Sequence, residues 1–174
     1  MPRITLPAAD EHAPYYGRYT SLVGGDVLAQ LGSLPTSTPR LLANTSEDLG
    51  NFRYEPGKWS VKDVLGHLVD AERVFSYRAL RIGRGDTTAL PGFEQDDYVV
   101  AARFERRTLA DMAAEFAVVR GSTLALYRGF DDEAISRRGT ASGMTVTVRA
   151  LAAIIAGHEL HHVAILKARY GLKG

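Results

Sequence analysis

Residues 149–170 read "RALAAIIAGHELHHVAILKARY", and the spacing of apolar residues and histidines in this stretch decides the fold. At about 100° per residue, Leu151, Ile154, Ile155 and Ile165 share one stripe of a helix expected from about Val146 to Tyr170. His158 and His162 lie within roughly 20° of the centre of that stripe, so both imidazoles are expected to point into a helical core. Glu159 and His161 fall about 80° to either side, at the borders between core and solvent. Two inward imidazoles one turn apart are costly without partners. Each neutral ring leaves a nitrogen in need of a donor or acceptor, and protonating both places like charges together. A shared metal ion answers both demands, whereas a lone inward histidine is ordinarily a hydrogen-bonded core residue.

The letters His158, Glu159 and His162 also satisfy H-E-x-x-H, the pattern of zinc peptidases. Such enzymes find their third ligand downstream, but only 12 of the 174 residues follow His162, and "VAILKARYGLKG" holds no His, Asp or Glu. A third ligand must therefore come from upstream or from the stripe's edge, and the candidates are His67, His12 and His161. His67 is the strongest because Val64, Ala71, Val74 and Phe75 place it on or beside an apolar helix face. Three imidazoles with one open position describe a catalytic-type site for a divalent cation better than a closed structural one.

Outward from this stretch, three more helical segments can be read. The first spans about Pro14 to Leu34, with Tyr15, Tyr19, Leu22, Val23, Val27, Leu28 and Leu31 at three- and four-residue steps and a bend suggested by Gly24-Gly25. After "SLPTSTPRLL" breaks the pattern, Ser60 can cap a second helix with Asp63 completing a capping box. Trp59 then reads as a hydrophobic staple on Val64, in preference to a ligand-stacking ring. A third helix begins near Thr108 and carries Leu109, Met112, Phe116, Val119, Thr123 and Leu126 on one face. The long connection 84–107 is read either as a lid or site wall or as plain loop, and "RGD" at 84–86 as a helix-terminating turn. No strand is expected. Four helices of about 20 residues imply an all-α, four-helix-bundle domain over residues 1–174, with helix directions left open.

Composition narrows the function classes. The formal charge is +1 from 21 basic and 20 acidic residues, with no basic block, so no nucleic-acid partner is expected. There is no cysteine, which excludes disulfides, thiolate ligands and a cysteine nucleophile; any metal must be held by N and O atoms. No apolar run approaches the roughly 20 residues of a membrane span and no signal peptide is evident, so a cytoplasmic protein with no membrane partner is expected.

Taken together, "APYYGRY" (13–19), "PGKWSVKDVLGHLVDAERVFSYRALRIGRGD" (56–86), "LPGFEQDDYV" (90–99) and the quoted 149–170 stretch resemble the DinB superfamily, the DinB/YfiT-like metalloenzymes. The resemblance implies a four-helix bundle in which His67, His158 and His162 hold a divalent metal. It also implies that the H-E-x-x-H spacing is coincidental. Zinc or nickel are the expected ions, with iron and manganese also accepting imidazole. The superfamily includes S-transferases that use low-molecular-weight thiols such as bacillithiol or mycothiol, a maleylpyruvate isomerase and hydrolase-like members.

The leading expectation is therefore a metal-dependent thiol S-transferase acting on a small-molecule substrate. The alternatives are a metal-dependent hydrolase, with Glu159 or a residue of 84–107 carrying protons, and a non-enzymatic metal-binding stress-response protein. No catalytic residue is assigned; His161, at the edge of the site, and Glu159 are the candidates, each with an alternative role as a surface or supporting group. The resemblance further implies a homodimer.

Overall fold

A computed structural model describes residues 3–33 and 37–173. Two 3-10 turns, Ala9–Glu11 and Pro14–Tyr16, lead into α1 (Gly17–Thr20) and α2 (Val27–Ser33). They are followed by α3 (Ser37–Ala43), α4 (Glu47–Asn51) and the long α5 (Val61–Gly83). Next come α6 (Gln95–Ala102), a 3-10 turn at Phe104–Arg106, the long α7 (Leu109–Arg128) and α8 (Asp132–Ser136). A hairpin of β1 (Arg138–Ala141) and β2 (Met144–Thr147) runs directly into α9 (Val148–Tyr170). The architecture is a four-helix bundle of α5, α7, α9 and the broken pair α1/α2.

The helix starts follow from their capping residues. Ser60 Oγ accepts from Asp63 N at 3.1 Å while Asp63 Oδ2 accepts from Ser60 N at 2.8 Å, so the expected capping box opens α5. Thr108 and Thr147 cap α7 and α9 in the same way, each accepting from the backbone N–H three residues on. The first helix, expected to bend at Gly24-Gly25, is broken there outright, with no helical residue between Thr20 and Val27. Gly25 adopts φ 69°, in the left-handed region, and Asp26 Oδ1 then accepts from Leu28 N at 3.0 Å, capping a new helix. The expected end of that helix at Leu34 lies outside the described residues.

Two further expectations are corrected. A hairpin is present, with Arg138 opposite Thr147 and Ala141 opposite Met144. Its Ser142-Gly143 turn takes φ 53° and 75°, the double left-handed geometry that matches strand twist. Strands of four residues offer too few positions to reveal a period of two. The long connections also hold short helices, α3 and α4 in the first and α6 in the second. Helices this short are unstable in isolation and exist because they pack on the bundle, which no local pattern announces.

The directions of the helices emerge from the core. Val61 to Val69 of α5, Leu109 to Phe116 of α7 and the end of α9 at Leu166 and Tyr170 share one apolar cluster. The later parts of α5 and α7 share the other cluster with Val148 to Ala156 at the start of α9. Thus α5 and α7 run the same way, and α9 runs against both. The histidines of α5 and α9 sit between the two clusters.

Candidate metal centre

His67 lies on α5 and His158 and His162 on α9, and the antiparallel packing of these helices brings the three rings together. His67 Nε2 is 3.0 Å from His158 Nε2, and His162 Nε2 is 3.1 Å from the same atom. Candidate ligand atoms of the three residues all lie within 4.8 Å of one another. A close backbone approach keeps α1 against this part of α9. A Cβ at Gly157 would stand 2.0 Å from Tyr19 O, so only glycine admits the contact that seats the Tyr19 ring 5.1 Å from that of His158.

Hydrogen bonding alone does not account for this arrangement. The single Nε2 of a neutral imidazole either donates one proton or accepts at one lone pair, yet His158 Nε2 faces two other Nε2 atoms. His162 Nδ1 is also buried, with no hydrogen-bond partner among the described residues. Ligand nitrogens held about 2.0–2.1 Å from a tetrahedral cation sit about 3.3 Å apart, close to the two distances that His158 Nε2 makes, while the set as a whole spans up to 4.8 Å. Burial pushes the imidazoles toward the neutral form that ligates: His67 falls to about 4 and His162 to about 3. His158 is driven well down by burial and then by the neighbouring imidazoles. The donor set fits a divalent cation.

The remaining sequence candidates take other places. His161 is half-buried against Tyr19, with ring centroids 5.3 Å apart, and stays outside the cluster. His12 is occupied elsewhere, its Nδ1 within 2.9 Å of Ala13 O and its Nε2 within 3.3 Å of Thr20 Oγ1. Glu159 departs from expectation: it is 1% exposed rather than at a solvent border. One helical wheel assumes one solvent side, but α9 is enclosed from Ala150 through Glu159, and α3 and α7 cover the flank on which Glu159 lies.

Glu159 belongs to a buried ionic network that the sequence reading missed. Arg120 forks onto Glu72 with two 2.9 Å bonds, donates to Glu159 Oε2 at 2.8 Å and to Leu31 O at 3.2 Å. Thr38 Oγ1 donates to the other Glu159 oxygen. Burial pushes the Glu159 carboxyl up, against the pull of Arg120. The signal was present in the spacing: Arg120 continues the ladder Leu109, Met112, Phe116 and precedes Tyr127 on the buried face of α7.

Two cavities flank the imidazoles. One, of about 340 Å³, is lined by His162 together with Lys58, Trp59 and Tyr170. The other, of about 360 Å³, is lined by His67 and His158 together with a group of aromatic rings. Gln95 and Asp96 border both, so the 84–107 connection is a site wall. Trp59 clusters with Val64, and its ring also lies 4.7 Å from that of His67. The staple reading therefore covers only part of its contacts.

The sequence profile of the DinB superfamily matches residues 30–166, and the chain belongs to that family. Among solved structures, YfiT from Bacillus subtilis is similar, with a TM-score of 0.75 and 18% identity over 84% of this chain and 87% of that one. That protein is described as "a probable metal-dependent hydrolase with an unusual four-helix bundle topology". At this identity the likeness speaks for the fold. No curated protein matches the sequence.

Proposed function

We propose that the chain is a metal-dependent S-transferase that joins a low-molecular-weight thiol, such as bacillithiol, to a small electrophile in the cytoplasm. His67, His158 and His162 hold the divalent cation, zinc or nickel before iron or manganese. When bound, such a cation supplies Lewis acidity that lowers the pKa of a thiol or water in its open position. The observation that carries the reading is the pair of cavities meeting at the imidazoles across a common wall of Gln95 and Asp96. Two reactants fit around one centre in this arrangement, which group transfer needs and simple hydrolysis does not. Lys58 lends the His162 side a positive charge suited to a polar thiol. The new sulfur–carbon bond replaces the bond to the leaving group, which departs with its electron pair. The thiol proton passes to solvent or to Asp96, the carboxylate bordering both cavities.

Conjugation of monochlorobimane with a panel of thiols tests the proposal. Metal-loaded protein is expected to exceed the uncatalysed rate with at least one thiol, and His67→Ala to lose that gain; no acceleration with any thiol would reject it. Hydrolysis is the second reading, favoured by the position of Asp96 and by the description of YfiT. It predicts thiol-independent turnover of an activated ester such as 4-nitrophenyl acetate. We further propose a homodimer, which sedimentation across micromolar concentrations checks; a monomer throughout would remove that part.

A further inference from the structure

The cavity beside His67 and His158 is lined by Tyr15, Tyr16, Tyr19, Phe75 and Phe93. Several of these rings already stand edge to face, Tyr15 to Tyr16 at 5.4 Å and Tyr16 to Phe75 at 6.1 Å between centroids. Such edges and faces are the surfaces that an added aromatic ring meets favourably. Away from the imidazoles, the charged residues lining the cavity are Glu94 and Asp96, so a carboxylate at the end of the ligand remote from the metal is disfavoured there. The wall is held in place from behind. Arg78 is 3% exposed, donates to Pro91 O at 2.7 Å and to Ser142 Oγ at 3.0 Å, and lies 5.9 Å from the Phe93 ring. That clamp joins α5, the 84–107 segment and the hairpin turn, so the cavity is formed before a ligand arrives. At about 360 Å³ its size falls in the range of small-ligand pockets.

We infer that this cavity is the specificity pocket for an uncharged aromatic group of the substrate, held with its reacting end toward the three imidazoles. The assignment rests on the proposed open metal site and adds the chemical class of what binds beside it. The cavity beside His162 also has aromatic walls, but it carries Lys58 and borders one imidazole rather than two, which suits it to the more polar reactant.

The test compares three hydroxamic acids that share one metal-binding head, by calorimetry on the metal-loaded protein. Benzohydroxamic acid is expected to bind about tenfold more tightly than acetohydroxamic acid, and more tightly than cyclohexanecarbohydroxamic acid, which is apolar but not aromatic. Phe93→Ala should erase that preference while leaving acetohydroxamic acid unchanged; Tyr54 lines the cavity beside His162 instead, and Tyr54→Ala should leave the preference intact. Equal binding of the benzoyl and acetyl probes, equal binding of the benzoyl and cyclohexyl probes, or a preference that survives Phe93→Ala would overturn the assignment and leave the open-site reading standing. Failure of all three probes to bind would overturn the open-site reading and the pocket with it. The comparison on unmodified protein holds even where a variant does not fold.

Discussion

His158 Nε2 is the atom on which the site turns, because it faces both His67 and His162 at hydrogen-bond distance and can satisfy only one of them. Removing any of the three imidazoles should therefore cut metal content sharply. His12→Ala and His161→Ala should keep it, as elemental analysis after dialysis will show. Loss of metal from His161→Ala would count against the ligand set. Loss of activity at full metal content would instead make His161 a substrate-positioning or proton-transferring group. The same burial sets a pH dependence for the metal-free protein. His67 and His162 ionise near 4 and 3 when folded but near 6.5 in the free chain, so the unfolded state binds more protons as the medium acidifies. Their contribution is fully present above about pH 6.5 and is lost progressively as pH falls toward 4. Urea unfolding at pH 7 and pH 5 should show this loss, and His67→Gln should shrink it.

Elements meet at this site through close approaches as much as through apolar stripes. Gly157→Ala would drive a methyl group into Tyr19 O, so α1 and α9 must separate. The expected cost is about 1–3 kcal/mol, read as a lower urea midpoint with unchanged slope. Because Tyr19 lies on His158 and lines the aromatic cavity, the variant should also weaken binding of benzohydroxamic acid more than of acetohydroxamic acid. At this scale the sequence was readable where an element has its own signal. Ser60 and Asp63 start α5 as their spacing implies, and the histidines of α9 lie where a 3.6-residue period puts His158 and His162. It was silent where an element depends on contacts distant in the chain. The hairpin strands and the short helices α3, α4 and α6 are each too brief to declare a period.

Over the whole molecule, a cation held by the proposed ligands between α5 and α9 would tie together helices whose contacting residues are 91 positions apart in the chain. Chelation should therefore lower the melting temperature by about 5–10 °C relative to protein at roughly a hundredfold excess of metal over Kd. It should not unfold the bundle, because apolar clusters on both sides of the site survive without the ion. Complete loss of helical circular dichroism on chelation would contradict this. Periodicity and the i, i+4 histidine pair were enough to specify an all-α bundle and two inward imidazoles, since both are properties of one helix and its 100° step. The meeting of His67 with that pair, the burial of Glu159 beside Arg120, and the aromatic pocket walled by Phe93 were settled only by the tertiary structure. Each depends on which faces of separate helices oppose one another, and that is set by packing among segments whose local sequence carries no record of their neighbours.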